Sequence, residues 1–193
     1  DFNEGWYASG RFDWFPLGPH SLDQTDFDRG PFRFSVSTAG FTWSNDGDND
    51  TYTAGGVTTS TKKADLDRAT GFELSAGLRG RGFSVDVEAH RITGELVDGT
   101  LTAGLYESGE TDLDLFALEG GYLFAGPVEI VIGYDVLDAT NYEDAWSRAS
   151  AGLNWYWNKD KAKVQLTYRT SENVDGVPGL DQDETFVQFQ YVF

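Results

Sequence analysis

One residue apolar, the next polar: this alternation returns in segment after segment of the chain. Phe83, Val85, Val87 and Ala89 interleave with Ser84, Asp86, Glu88 and His90. Val164, Leu166 and Tyr168 interleave with Lys163, Gln165, Thr167 and Arg169. Ala149, Ala151, Leu153, Trp155 and Trp157 do so with Arg148, Ser150, Gly152, Asn154 and Tyr156. Successive side chains of a strand point to opposite faces, so a period of two makes one apolar and one polar face. No long stretch carries the 3.6-residue period of an amphipathic helix. The last residues keep the pattern, with Thr185, Val187, Phe189, Tyr191 and Phe193 on one side and Gln188 and Gln190 on the other. The alternation predicts strands at Gly5–Phe15, Phe32–Trp43, Gly71–Arg79, Phe83–Thr93, Asp112–Phe124, Val128–Leu137, Ala145–Trp157, Ala162–Thr170 and Thr185–Phe193.

The connections alternate as well. Tight turns are expected at Arg79–Gly82, Ala125–Pro127 and Asn158–Lys161. Long polar stretches run over Ser44–Thr70, Ile92–Thr111, Asp138–Asp144 and Ser171–Glu184. Short turns at one end and long loops at the other are the pattern of an antiparallel transmembrane β-barrel of the outer membrane. Pro16–Pro31 is longer than the other turns at its end and is expected to wrap against the barrel rim. Aromatic residues gather at the strand ends on that side, where an interfacial girdle sits. They are Trp14, Phe15, Tyr122, Phe124, Trp155, Trp157, Tyr191 and Phe193. The alternative is a soluble sandwich with the apolar face as its core, which would scatter Trp and Tyr through that core instead.

The 193 residues suit one domain. A formal charge of -18 argues against a nucleic-acid partner, whose phosphates need a basic face. There is no Cys, hence no disulfide and no thiolate metal site. There is also no Met, from which we expect a processed or trimmed chain whose export signal is not visible. No apolar run approaches the roughly 18 residues of a transmembrane helix. Low mean hydropathy does not argue against a membrane barrel, since only alternate residues meet lipid.

Three stretches resemble the phosphate-selective porin O and P family. They are Gly10-Arg-Phe-Asp-Trp-Phe-Pro-Leu-Gly18, then Gly152-Leu-Asn-Trp-Tyr-Trp-Asn158 with Lys163-Val-Gln-Leu-Thr-Tyr168, and the ending Asp183 to Phe193. Each motif is short. The resemblance implies an outer-membrane diffusion channel of about 16 strands, usually trimeric, of which this chain supplies the later strands. Single-chain bacterial barrels have an even strand number, and nine is odd. Missing strands, removed or contributed by another polypeptide, would resolve the parity. A tenth strand at Leu101–Glu107 in a smaller barrel would resolve it too.

A channel's preference is set by its wall and mouths. The polar faces of the predicted strands place Arg11, Asp13, Arg33, Glu73, Arg79, Asp86, Glu88, His90, Glu119, Glu129, Asp135, Arg148, Lys163 and Arg169 on the pore lining. That wall is nearly neutral. The four long stretches hold seventeen acids against three bases, Lys62, Lys63 and Arg68. A phosphate-selective pore needs a basic ladder and a basic mouth, so the phosphate preference of the family is not expected here. An acidic mouth enriches cations within roughly 8 Å, about one Debye length at physiological salt.

Asp46-Gly-Asp-Asn-Asp50 resembles the start of a calcium loop, with Asp46, Asp48 and Asp50 as oxygen ligands. It lacks the bidentate Glu downstream, so an acidic loop tip is the competing reading. No other cofactor is expected. Acidic loops, Asp181 to Glu184 among them, could share divalent cations with lipopolysaccharide phosphates at the outer leaflet. Asp86, Glu88 and His90 share one face, as acids and His do in some rim-active outer-membrane hydrolases, but they read as lumen lining. His20 lies in the opposite turn, and no nucleophile or phosphate-binding motif is present, so no enzymatic function is expected.

Overall fold

A computed structural model describes residues 5–19, 24–45, 53–54, 57–58, 65–159 and 161–192. Its strands are β1 (Trp6–Trp14), β2 (Arg33–Ser44), β3 (Thr53–Ala54), β4 (Val57–Thr58), β5 (Leu66–Gly80), β6 (Phe83–Leu96), β7 (Glu110–Leu123), β8 (Val128–Ala139), β9 (Trp146–Tyr156), β10 (Ala162–Glu172) and β11 (Gln182–Tyr191). A short 3-10 turn, Val174–Gly176, is the one helical element among the described residues. Strands β3 and β4 pair only with each other. The other nine form one sheet in the order β1-β2-β5-β6-β7-β8-β9-β10-β11, every neighbouring pair antiparallel.

The predicted strands are all present, but several extend further at the long-loop end than the alternation predicts. β5 begins at Leu66 rather than Gly71, and β6 runs on to Leu96 rather than Thr93. Polar residues such as Asp67, Arg68 and Glu95 read as loop, yet the ladder continues through them, from Arg68 opposite Glu95 to Glu95 opposite Glu110. The proposed tenth strand does not exist. Leu101–Glu107 makes only isolated bridges, Ala103 with Tyr106 and Glu107 with Glu110, because Gly104 and Ser108 take positive φ and fold the segment back on itself. At the other end, β5 turns into β6 over Arg81 and Gly82, with φ of 56° and 88°. Two positive φ values in a two-residue loop follow the twist of the strands they join.

The sheet is not closed. Among the described residues β1 pairs only with β2, and β11 only with β10. Nine antiparallel neighbours make the two free edges run in the same direction. Burial is inverted relative to a soluble domain. The buried apolar residues are few, while Ser35, Ser37, Arg79, Ser84, Glu129, Asn154 and Lys163 are buried. Large apolar side chains such as Ile132, Leu153, Val187 and Phe189 are exposed.

Candidate functional site

The strand register carries the polar wall across the whole sheet. Arg11 is opposite Ala39, Ala39 opposite Glu73, Glu73 opposite His90 and His90 opposite Leu115. One level nearer the short turns, Asp135 is opposite Arg148 and Arg148 opposite Ser171. By this alternation every residue expected on the pore lining falls on one face. That face is concave: a single cavity of about 580 Å³ is lined by Arg11 of β1, Asp86 of β6, Asp135 of β8 and Arg169 of β10.

Most of its charges are paired along or between neighbouring strands. Arg11 donates to Asp13 (2.8 Å) and lies 3.8 Å from Glu73. Asp13 also accepts from Ser37 (2.5 Å). Arg79 makes a two-pronged contact with Asp86 (3.0 and 2.8 Å), a geometry that only a guanidinium offers. Arg148 gives both Nε and Nη2 to one oxygen of Asp135 (2.9 and 2.8 Å). Arg33 donates to the Pro19 carbonyl (2.8 Å), and Arg169 lies over the Phe186 ring, 4.8 Å from its centre. His90 meets Glu88 at 3.3 Å, whereas Asp86 is turned to Arg79, so the acid–acid–His trio is not assembled as a unit.

The connection between β1 and β2 does more than follow the rim. Its second half, from Gln24 to Gly30, runs along the inside of three turns and reaches the far side of the concavity. Gly30 accepts from the Arg81 amide (2.9 Å), and Asp26 accepts from the Gly82 amide (2.8 Å). Arg29 donates to the Leu123 carbonyl (2.7 Å). Thr25 bonds the Tyr156 hydroxyl (2.7 Å), and Gln24 accepts from Lys163 (2.8 Å) while its side chain also bonds Glu119. The Phe27 ring meets Tyr156 edge-on at 4.9 Å.

Beneath this strap sits Glu129, with 0% of its surface exposed. Its Oε2 accepts from the Tyr156 hydroxyl (2.6 Å) and the Asn154 amide (2.8 Å), and its Oε1 meets Ser84 at 3.4 Å. Asn154 in turn accepts from Gln165 (2.9 Å). Gly121 makes room for the carboxylate, because a Cβ there would come within 2.7 Å of Glu129 Oε1 and 2.6 Å of Ser84 Oγ. Glu129 and Lys163 were expected to face the lumen. They are on that face, but buried under the strap. Sequence reasoning missed Gln24, Thr25, Asn154 and Tyr156. The period of two placed Asn154 and Tyr156 on the polar face, but nothing in the sequence said what would meet them.

The opposite end of the sheet is acidic. Several acids expected in loops lie on strands instead: Asp67 on β5, Glu110 on β7, Asp138 on β8, Glu172 on β10, and Asp183 and Glu184 on β11. Arg91 reaches Asp112 (3.2 Å) and Asp114 (3.7 Å), and Arg68 pairs with Glu95. In the connections beyond, burial raises the phenol of Tyr106 above its ordinary pKa. Burial, then the nearby charge of Asp175, does the same for Tyr142. The suggested calcium ligands Asp46, Asp48 and Asp50, as well as His20, Lys62 and Lys63, lie outside the described residues.

On the convex face the aromatics gather at the short-turn end. Phe83 and Tyr122 have ring centres 4.6 Å apart, Tyr122 and Phe124 5.1 Å. Trp155 and Trp157 follow at 5.4 Å, and Trp157 and Phe189 at 5.6 Å. Trp14 meets Phe34 edge-on at 6.4 Å, and Phe15 and Tyr191 belong to the same end of the sheet. Phe193 lies outside the described residues. Comparisons of the chain with protein-family models, curated proteins and solved structures found no match.

Proposed function

We propose that this chain is part of an outer-membrane β-barrel through which ions and small hydrophilic solutes diffuse, with weak selectivity and an acidic outer mouth. The observation that carries the reading is the inversion of polarity across one sheet. Ile132, Phe189 and Val187 are 62%, 71% and 75% exposed on the convex face, while Arg79 and Glu129 are buried on the concave one. A sheet with an apolar exterior and a charged interior is stable where lipid is outside and water inside. The convex aromatics at the short-turn end then stand at one membrane interface, and the acidic rim at the other meets lipopolysaccharide. The short-motif likeness to the phosphate-selective porins points the same way, and the trimer it implies belongs to this proposal.

Lipid does not tolerate the backbone of an open edge, so β1 and β11 need partners in this reading. Because the edges are parallel, direct closure would require a parallel pair. Antiparallel closure requires an odd number of further strands, on the same polypeptide or another.

A second reading is favoured by the strap. Residues 24–30 line one end of the concavity, which suits a structural or surface-interaction barrel without an open pore. Conductance across a planar bilayer separates the two. Stepwise, cation-favouring currents from the assembled barrel are expected. Silence from correctly inserted protein would leave the structural reading, and strong anion preference would contradict the charge distribution.

A further inference from the structure

At the end of the concave face remote from the strap, aromatic side chains stand on the polar wall. Tyr7 and Phe41 lie nearly parallel, ring centres 6.2 Å apart and planes at 25°. Tyr7 is 62% exposed. Both share the face of Arg11 and Glu73, so neither belongs to the convex aromatic band. Phe41 lies down against β5 because Gly71 is opposite it: a Cβ at Gly71 would come within 2.1 Å of the ring. The pair borders a hollow of about 400 Å³ whose polar rim is Ser9, Arg11, Glu73 and His90. Glu73 is held in place by Ser75 (3.0 Å) and by Arg11 at 3.8 Å.

Tyr7 holds an exposed ring on the water-facing wall, the half-buried Phe41 lies stacked beside it, and the two border a hollow with a polar rim, the combination of apolar floor and convergent polar groups that suits a small-molecule site. We propose that Tyr7 and Phe41, with Arg11 and Glu73 beside them, form a subsite for a neutral saccharide. A pyranose presents an apolar C–H face and a perimeter of hydroxyls. The C–H face stacks on the aromatic pair. The hydroxyls each donate and accept, which suits a rim that mixes a guanidinium, a carboxylate and a serine. A neutral solute also passes an acidic mouth without the repulsion that an anion meets. This subsite rests on the reading that the concave face holds water.

The test uses the full chain, refolded in detergent, with maltotriose as probe and isothermal titration as readout. Maltotriose is expected to bind. Tyr7→Ala is expected to weaken binding about fivefold, the worth of one stacked ring, and Tyr7→Phe to retain it because the ring remains. Phe41→Ala is expected to weaken it similarly, with folding checked by the thermal transition of each variant. No binding of maltotriose to the folded protein, or equal binding by the Tyr7→Ala and parent chains, overturns the proposal. So does binding of adenine at this pair in place of maltotriose. Bilayer conductance is scored separately, so Tyr7-dependent binding by a barrel that passes no current would uphold the subsite while removing the channel reading.

Discussion

Removing one oxygen, in Tyr156→Phe, isolates the anchor of the strap. The Tyr156 hydroxyl is the only link between the strap's Thr25 and the buried carboxylate of Glu129 among the described residues, with contacts of 2.7 and 2.6 Å. The phenylalanine ring preserves the edge-on contact with Phe27, so packing is kept and hydrogen bonding alone is lost. A hydrogen bond to a charged group contributes about 1.5–3 kcal/mol, and a buried hydroxyl left unpaired costs about 1–3 kcal/mol. The two overlap, because Glu129 keeps Asn154 and Ser84, so the strap should loosen by about 2–3 kcal/mol. That corresponds to roughly a 30- to 150-fold rise in the population with the strap detached. Amide hydrogen exchange reads it directly. The Arg81 and Gly82 amides donate into the strap, at Gly30 and Asp26, so both should exchange faster by about that factor. Amides in the middle of β6 and β7 should not change, since their partners are in the ladder. Unaltered exchange at both Arg81 and Gly82 in folded Tyr156→Phe protein would refute the reasoning, because the strap would then be held without this anchor.

Gly121→Ala pushes a methyl toward Glu129 Oε1 and Ser84 Oγ, whose tips are held by hydrogen bonds and cannot swing away freely. A loss of about 1–3 kcal/mol is expected in detergent unfolding, and equal stability would show that the cluster is loose. Ile132→Arg places a charge on the convex face at a residue 62% exposed. It should cost about 2–4 kcal/mol in a bilayer-based folding assay if lipid covers that face. A change under about 0.5 kcal/mol would mean the face is wet. Asp135→Asn leaves Arg148 without its carboxylate and removes one negative charge from the wall. The cation-to-anion permeability ratio, read from reversal potentials, should fall by up to about sixfold, since a unit charge about 8 Å away in water is worth roughly 0.5 kcal/mol and acts with opposite sign on the two ions. An unchanged or rising ratio would place Asp135 away from the ion path.

Strand identity and facing were legible because the period of two is written residue by residue. Once Phe83 is known to point one way, Asp86, Glu88 and His90 are committed to the other, and the ladder adds no freedom. The strand ends were less legible. Whether Asp67 and Arg68 leave the sheet depends on partners in β6, and a single segment contains no record of its partner's length. The strap was illegible for a different reason. Its contacts join residues more than a hundred positions apart, Thr25 to Tyr156 and Gln24 to Lys163, and it has no periodicity of its own. Only the prolines of the surrounding connection, Pro16, Pro19 and Pro31, hinted at a constrained path. The carboxylate at Glu129 looked like any other wall charge in sequence. What distinguishes it is a missing side chain two strand positions away, at Gly121, and a strap arriving from the other end of the chain.

The strap also bears on why a sheet with two free edges holds its curvature. Bonds along the sheet fix neighbouring strands but leave the angle between distant ones to accumulate from twist. The strap runs from β2 past the β5–β6 and β7–β8 turns to β9 and β10, touching each through a named bond. It therefore sets the distance across the concavity at one end, where no covalent connection does so. At the other end Tyr142 packs over Gly176, and the Glu143 amide donates to the Gly176 carbonyl (3.2 Å), tying only adjacent connections together. Among the described residues, one end is braced across its width and the other only between neighbouring connections. A barrel completed from this sheet would then have its width set by the strap at the short-turn end, opposite the end where the aromatic pair Tyr7 and Phe41 lies.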